Sequence, residues 1–251
     1  MAELPPKKVP RVDCTACWIR ELKGFRKFSP TELAFVSEFK IGQIAVSAGS
    51  TVIGEGAANP HLFTVFEGWG FRYKILEDGR RQVLNYVLPG DLIGLQGLLM
   101  GEMQHSIEAI TPMQFCVFER AKLSQLFEKH AGLAFDITWI AAQEERILDE
   151  HLLSIGRRSA TERAAYLLAF LCNRVRETGL ANDGPVALMI TQQHVADTLG
   201  LSIVHTNKTL RKLADRGTIR WLERGCEVLD EQALGQIAGW RPANPRQRPF
   251  I

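Results

Sequence analysis

The stretch TQQHVADTLGLSIVHTNKTLRKL, from Thr191 to Leu213, decides the fold of the carboxyl-terminal third of this chain. Its spacing predicts a helix over 192–199, a turn at Gly200, where glycine tolerates a positive φ, and a second helix that begins after Ser202. Ser202 is a good N-cap, because its hydroxyl can accept a hydrogen bond from a free backbone N–H. We interpret the pair as a helix-turn-helix, with an ordinary antiparallel helix pair as the alternative.

The two faces of this helix pair differ in chemistry. The apolar face, which we expect to hold the pair to a core, consists of Leu199, Leu201, Leu210 and Leu213. A second helix that turns Lys and Arg outward is typical of insertion into the major groove of DNA. The side chains expected to read base edges are Val204, His205, Asn207 and Lys208. Those expected to contact the DNA backbone are Thr191, Gln192, Gln193, Ser202 and Arg211.

Composition sets the protein class. The chain has 251 residues, of which 46% are hydrophobic and 23% charged, as in soluble globular proteins of one or two domains. No apolar run approaches the roughly 18 residues of a membrane span, and the amino terminus lacks a signal-peptide core, so we expect a cytoplasmic protein without membrane contact. From Arg157 onward, 14 Lys and Arg face 9 Asp and Glu, an excess that suits a phosphate-binding surface.

The first half of the chain is predicted to be an antiparallel β-roll. Between about 41 and 118 apolar residues alternate with polar ones, as at Phe71, Tyr73 and Ile75, and Asp78-Gly79 is a hairpin signal. We place the roll domain at 30–130, after a segment over 1–29 that contains a Cys-x-x-Cys pair. Residues 1 to 12 are rich in Pro and Lys, and we expect them to be disordered.

A long helix and a winged domain complete an α+β fold. Helical spacing over 131–156 predicts a dimerisation helix whose interface residues are Ile137, Ile140, Glu144, Ile147 and His151. The DNA-binding domain is placed at 157–240, with a turn at 182–185 and a two-stranded wing on either side of Arg224-Gly225. The tail, 241–251, shows no packing pattern, and we expect it to be solvated.

An enzymatic alternative is a metal-dependent roll of the cupin type. Such a site needs two His spaced one residue apart, with a carboxylate and a third His nearby. His61 and His105 each stand alone, so this alternative has little support.

Several motifs together resemble the CRP/FNR family of dimeric bacterial transcription regulators. They are AGSTVIGEG at 48–56, FEGWGFRYK at 66–74, LNYVLPGDLIG at 84–94, RRSATERAA at 157–165 and LGLS at 199–202. The resemblance covers about residues 14 to 240. It implies a homodimer that binds an inverted repeat in double-stranded DNA, contacts RNA polymerase and has no enzymatic activity.

The family's branches differ in the signal that they sense. In the cyclic-nucleotide branches a Glu binds the ribose and an Arg pairs with the phosphate. Leu95 and His105, which precedes Ser106, stand at those positions here. Because both polar anchors are missing, we expect no cyclic nucleotide.

The oxygen-sensing branch holds an iron–sulfur cluster on four Cys. Cys14 and Cys17 match the first two positions and Cys116 matches the fourth, in the roll, whereas Lys23 occupies the third. The resemblance therefore implies one of four alternatives: a cluster with an unorthodox donor such as Asp13 or Glu21, a three-iron cluster, a cluster held only in some states, or a regulator without a cofactor, as in the clusterless branch. The other two Cys, Cys172 and Cys226, are assigned no role.

The recognition helix also departs from the best-known members of the family. They set a Glu, then a Ser or Gly and an Arg, against base edges; here Val204, Asn207 and Lys208 stand at those positions. Glu accepts from cytosine N4, whereas Val offers only apolar contact to a thymine methyl group. We therefore expect an altered site preference.

Overall fold

The computed structural model describes residues 7–58, 61–181, 184–242 and 247–251. Within them Lys7–Lys8 (β1) pairs antiparallel with Lys40–Val46 (β2), so the predicted disorder of residues 1 to 12 is wrong for this part. The pairing continues where Val9 N donates to Gln43 O at 3.2 Å. Residues 1–6 and the first half of the turn predicted at 182–185 lie outside the described residues.

The predicted antiparallel roll is confirmed. Its remaining strands are Thr51–Ile53 (β3), His61–Glu67 (β4), Gly70–Ile75 (β5), Arg81–Val87 (β6), Leu92–Ile93 (β7), Ser106–Ala109 (β8) and Met113–Glu119 (β9). They form one sheet in the order β1-β2-β9-β4-β7 and a second in the order β3-β8-β5-β6. The expected hairpin turn joins β5 to β6, with Gly79 at φ +85°.

Three helices flank the roll: Pro30–Phe39 (α1), Leu95–Met100 (α2) and Leu123–Lys129 (α3). Helix α1 begins with a reciprocal capping box, in which the Ser29 hydroxyl accepts from Glu32 N at 3.2 Å and the Glu32 carboxylate accepts from Ser29 N at 2.7 Å.

The long helix, Ala131–Arg157 (α4), has two different faces. The inner face packs on the chain's own roll and on the helix after it, and its members are spaced alternately four and three residues apart: Leu133, Ile137, Ile140, Glu144, Ile147 and His151. The outer face repeats this spacing one residue later and is exposed: Thr138, Ala141, Glu145, Leu148 and Leu152.

This arrangement corrects the predicted dimer contact. Ile137, Ile140, Ile147 and His151 are buried in the chain's own core, and the Glu144 carboxylate pairs with Arg72. Four of these five side chains are therefore buried within the chain itself, and the fifth, Glu144, is half-buried and already paired. The large apolar side chains that α4 leaves exposed are Phe135, Leu148, Leu152 and Leu153.

The carboxyl-terminal part consists of Ala160–Glu177 (α5), Val186–Leu188 (β10), Gln192–Leu199 (α6), Ile203–Asp215 (α7), Ile219–Leu222 (β11), Gly225–Val228 (β12) and Glu231–Ala238 (α8). Helices α6 and α7 are the predicted helix-turn-helix. The wing has three strands rather than the two predicted, because β10 pairs with β12, in the order β10-β12-β11. None of the helices in the described ranges combines the length and the apolar composition of a membrane span.

The end of the tail returns to the roll, contrary to the expectation that it is solvated. Arg248 N donates to Gly24 O at 2.7 Å, and Arg26 N donates to Arg248 O at 2.9 Å. The Phe250 ring packs 5.1 Å from the Phe25 ring, and both Phe250 and Ile251 are buried. Two apolar residues are too few to show a period, but they are enough to anchor the chain end.

Candidate nucleic-acid interface

The turn between α6 and α7 has the local chemistry that its sequence predicts. Gly200 ends α6 at φ +65°. Ser202 Oγ caps α7 by accepting from His205 N at 3.3 Å, and Thr191 Oγ1 caps α6 by accepting from His194 N at 3.1 Å. Ala196 is buried, and its carbonyl accepts from Leu201 N across the turn at 3.1 Å. Two side-chain caps and a left-handed glycine therefore fix the start of each helix and the turn between them.

Helix α7 turns one polar, basic face to solvent. Its exposed side chains include the four expected to read bases, Val204, His205, Asn207 and Lys208, together with Ile203, Arg211 and Lys212. Val204 is 62% exposed and lies one helical turn from Lys208. Neither Lys208 nor Arg211 has an ion-pair partner among the described residues, so both cations are free to meet phosphate or base acceptors.

Leu199, Leu210 and Leu213 form the predicted apolar face and are buried, and Leu201 is half-buried. Thr206 and Thr209 lie on the same side, and their burial was not predicted. Thr209 fits there because its hydroxyl donates to His205 O at 2.9 Å, which satisfies a polar group that the core would otherwise leave unpaired.

The residues expected to contact the DNA backbone differ in their exposure and in the hydrogen bonds that they already form. Thr191 and Gln193 are exposed and Gln192 is half-buried, all near the amino terminus of α6. The hydroxyls of Thr191 and Ser202 already accept a helix N–H, which leaves each O–H able to donate. Gln193 Nε2 donates to Asp197 Oδ1 at 2.6 Å and would leave this partner to bind DNA.

Helix α6 packs against the β5–β6 hairpin of the roll, which sequence reasoning did not find. Arg81 Nε donates to Asp197 Oδ2 at 2.8 Å, and Gln82 Nε2 donates to Thr198 O at 2.9 Å. The Tyr86 and Thr198 hydroxyls share a buried hydrogen bond of 2.8 Å. The helix-turn-helix is thus joined directly to a hairpin of the roll.

A second junction lies at Asp91, in the Pro-Gly-Asp turn. Arg174 of α5 donates to both Asp91 oxygens, at 2.9 and 2.6 Å, and Arg248 of the tail also pairs with Asp91. Burial opposes the charge of this carboxyl group, but the two guanidinium groups hold its pKa below the usual value. Arg248 therefore has a partner within the chain.

An ion pair and a hydrogen bond on Arg72 join strand β5 to helix α4 and to His105. Arg72 pairs with Glu144, and its Nε donates to His105 Nε2 at 3.1 Å. Burial lowers the pKa of His105 to about 3, so it stays neutral and accepts this hydrogen bond. Arg72 and His105 are therefore both hydrogen-bonded within the chain. His61 lies on β4, and no group of three or more His, Cys, Asp or Glu in the described part of the chain is placed to hold a metal ion.

The three Cys of the N-terminal motif and the roll contact one apolar cluster, but they do not form a cluster-binding site. Cys14 and Cys116 are buried in it and Cys17 packs against it. Lys40 is only 2% exposed, contacts the Cys116 thiol and donates from Nζ to Val12 O at 2.8 Å. The Lys40 ammonium group thus occupies one contact of the Cys116 thiol, and burial raises the pKa of this thiol to about 11.

The alternative fourth donors do not complete the set. Lys23 is exposed. Asp13 Oδ1 accepts from Thr15 N at 2.7 Å, and Glu21 forms an exposed ion pair with Lys27 at 3.9 Å. The side chains in this arrangement do not fit an iron–sulfur cluster.

Two family models match the chain. One, described as a cyclic nucleotide-binding domain, matches residues 43–130, and the other, a Crp-like helix-turn-helix domain, matches residues 162–237. The first match concerns the roll and the second the surface described above.

Individual relatives agree with these matches. The nitrogen fixation regulation protein FixK of Bradyrhizobium diazoefficiens is 33% identical over 231 residues, which is 90% of this chain and 93% of the relative. The transcriptional activator protein FnrL of Cereibacter sphaeroides is 28% identical over 209 residues, 82% of this chain and 83% of the relative. Among solved structures, FixK2 from Bradyrhizobium japonicum superposes with a TM-score of 0.69 at 27% identity, covering 80% of this chain and 98% of that one. These relatives are transcription regulators, which sets the cupin-type enzyme aside.

Proposed function

The chain belongs to the CRP/FNR family of transcription regulators, and we propose that it binds an inverted-repeat DNA site as a homodimer and acts without a bound cofactor. The observation that carries the proposal is the exposed basic face of α7, held by two capped helix starts and a left-handed glycine turn. A twofold dimer would place two such helices in successive major grooves, with half-site centres about 34 Å apart.

Each half-site is proposed to be read by four side chains. Lys208 can donate to guanine O6 and N7, and Val204 can contact a thymine methyl group. Asn207 and His205 flank them on the same exposed surface and can reach a base or a phosphate. The proposed backbone contacts are Thr191, Gln192, Gln193, Ser202 and Arg211.

Dimerisation is proposed to use the outer face of α4. Leu152 is 71% exposed, and Leu148 lies one turn before it on the same face. The alternating three- and four-residue spacing from Thr138 to Leu152 is that of a coiled-coil contact. Two large apolar side chains exposed on one helix face, one turn apart, fit a surface that a partner covers.

We propose a regulator without a cofactor because other side chains occupy the two positions at which family members bind a cluster or a cyclic nucleotide. Lys40 lies against the Cys116 thiol, and the buried His105 accepts from Arg72 where a phosphate-binding Arg would be needed. Cluster control of the oxygen-sensing type and cyclic-nucleotide control are therefore both less well supported than a cofactor-independent regulator. Contact with RNA polymerase is proposed from family membership alone.

The test separates DNA binding from cofactor content. Protein purified without air and treated with iron and sulfide should stay colourless. In a gel shift, it should bind a DNA sequence selected from a random library equally well with and without air. Lys208→Ala should weaken this binding, whereas Lys129→Ala, which removes an exposed Lys of α3, should not. Visible absorption that air bleaches and Cys14→Ser abolishes would overturn the cofactor-independent part and leave DNA binding intact.

A further inference from the structure

A cleft of about 650 Å³ lies where the N-terminal segment, the roll and the DNA-binding domain meet. The roll contributes the turn between β4 and β5 together with Pro89, and the N-terminal segment contributes Trp18. The DNA-binding domain contributes the end of α5, the chain that follows it and residues in and beside β10. Small-molecule sites of this volume occur preferentially where domains meet.

A β-bulge in β4 brings two neighbouring side chains to this cleft. Val65 pairs with Phe115 and Glu67 pairs with Gln114, so Phe66 is an extra residue in β4. In a regular strand, Phe66 and Glu67 would point to opposite faces of the sheet, whereas here both line the cleft. Bulges that redirect a side chain in this way are common beside functional sites.

The turn that follows the bulge is fixed by the backbone. Trp69 N donates to Thr111 Oγ1 at 2.9 Å, and Trp69 O accepts from Ile110 N at 2.8 Å. Gly68 has φ +90°, and a Cβ there would lie 2.3 Å from Pro112 O, so this position requires glycine. The wall that the roll gives to the cleft is therefore formed before any ligand binds.

The side chains that a ligand would meet are accessible from solvent. Trp18 is 37% exposed and Met189 is 41% exposed. Glu67 is exposed, and Trp69 is half-buried. The Trp18 ring meets the Phe66 ring edge-on, with the centroids 6.2 Å apart. Three aromatic rings and a thioether thus offer a surface for an apolar group.

The charge of the cleft is negative. Glu67 is the one charged side chain among the described residues that line it. Its Oε2 accepts from the neutral Gln114 Nε2 at 3.0 Å, which leaves the carboxylate charge unbalanced. Arg174 and Arg176, which flank a lining residue of α5, each pair with another carboxylate, and Arg20 donates to two backbone carbonyls. A carboxylate beside aromatic rings favours a cation.

We propose that the cleft binds a small organic cation with an apolar body. Its cationic group would donate to Glu67, and its apolar body would pack against Trp18, Trp69 and Met189. Such a ligand would contact the N-terminal segment, the roll and the DNA-binding domain at once. The site is separate from the α7 surface, and the family's cyclic-nucleotide positions do not line it.

Calorimetric titration of the full-length protein with 2-phenylethylammonium tests the proposal, since this probe joins an aromatic ring to an ammonium group. The matched control is 2-phenylethanol, which has a neutral hydroxyl in place of the ammonium. We expect the ammonium to bind at least about tenfold more tightly than the alcohol, because it forms a charge-assisted hydrogen bond with Glu67. Equal binding of the two probes, or no binding of either, would overturn the proposal.

Variants locate the binding. Glu67→Gln keeps the size of the side chain and should lower the affinity for 2-phenylethylammonium about tenfold, with no change for 2-phenylethanol. Glu102→Gln, an identical change at an exposed position on the roll, should alter neither affinity. Trp18→Ala should weaken both probes, because it removes part of the apolar wall. A Glu67→Gln protein that binds both probes as the wild type does, or that loses both equally, would contradict the assignment.

Discussion

Helices α4 and α7 are both amphipathic, yet the sequence predicted the outward face of one correctly and of the other wrongly. In α7 the buried positions are Leu and Thr, and the exposed ones are mainly polar or basic. In α4 both faces carry large apolar residues, Ile140 and Ile147 inside and Leu148 and Leu152 outside. The difference lies in how many partners each helix has.

A helix with one apolar face identifies its core side by composition alone. A helix that contacts its own chain on one side and is proposed to meet a second chain on the other has two apolar stripes, and a shift of one residue exchanges them. Periodicity gives the spacing of both stripes but does not say which one faces inward. In α4 the inward stripe is decided by distant partners, such as Arg72 for Glu144.

The strongest test of this difference is a charge on the inner face. Ile140 is 4% exposed, so Ile140→Asp should lower the free energy of unfolding by about 4 kcal/mol, since an unpaired carboxylate would be buried. Urea denaturation at fixed protein concentration measures the loss. Ala142→Asp, an exposed position on the same helix, is the control and should cost far less. A stable but monomeric Ile140→Asp protein would contradict this and would support the predicted place of Ile140 in the dimer contact.

A charge on the outer face should act on association instead. Leu152→Asp should raise the dimer dissociation constant by at least about 100-fold, which corresponds to roughly 2.7 kcal/mol, while the monomer keeps its fold. Sedimentation velocity over a dilution series measures this change. The neighbouring Leu153→Asp provides a control, because Leu153 is exposed but lies off the outer stripe. Dissociation by the Leu153 variant alone would move the contact to another face.

Predictability from sequence follows the same division between local and distant determinants. The Ser202 cap, the Gly200 turn and the Asp78-Gly79 hairpin are fixed by neighbouring residues, and the structure has all three. The contacts that join the roll to the DNA-binding helices were not predictable. Arg81 and Asp197 are 116 positions apart in the chain, and nothing near either residue marks the other as its partner.

A third prediction uses pH to test the inner face. Burial lowers the pKa of His151 from 6.5 to about 4, with Arg174 adding to the effect. As the pH falls, His151 is protonated near pH 6.5 in the unfolded chain but only near pH 4 in the folded chain. The contribution of the neutral, buried His151 to the free energy of unfolding is therefore complete above pH 6.5 and is lost as the pH falls below it. The loss should be about 2 kcal/mol at pH 5.

His151→Gln isolates this contribution, because His105 and His194, whose pKa values are also lowered, remain in both proteins. Urea denaturation at pH 7 and pH 5 should give a smaller difference for the variant than for the wild type by about 2 kcal/mol. An identical difference for the two proteins would mean that His151 is solvated, as it would be if the two faces of α4 were exchanged.

The smallest expected effect concerns the exposed face of α7. Val204 stands where the resembled family members have a Glu, and Val cannot accept a hydrogen bond from cytosine N4, so the facing base pair should be tolerant or prefer thymine. Val204→Glu should restore selectivity for cytosine by roughly 1 kcal/mol, the low end of the range, because a single hydrogen bond forms rather than a bidentate pair.

Lys208→Ala should weaken binding chiefly at one guanine, whereas Arg211→Ala should weaken all sequences alike and flatten the salt dependence. Sequences selected from a random library by the wild type and these variants measure each effect. A strict G·C pair facing Val204 in the wild-type selection would show that α7, like α4, presents a different face from the one its pattern indicates.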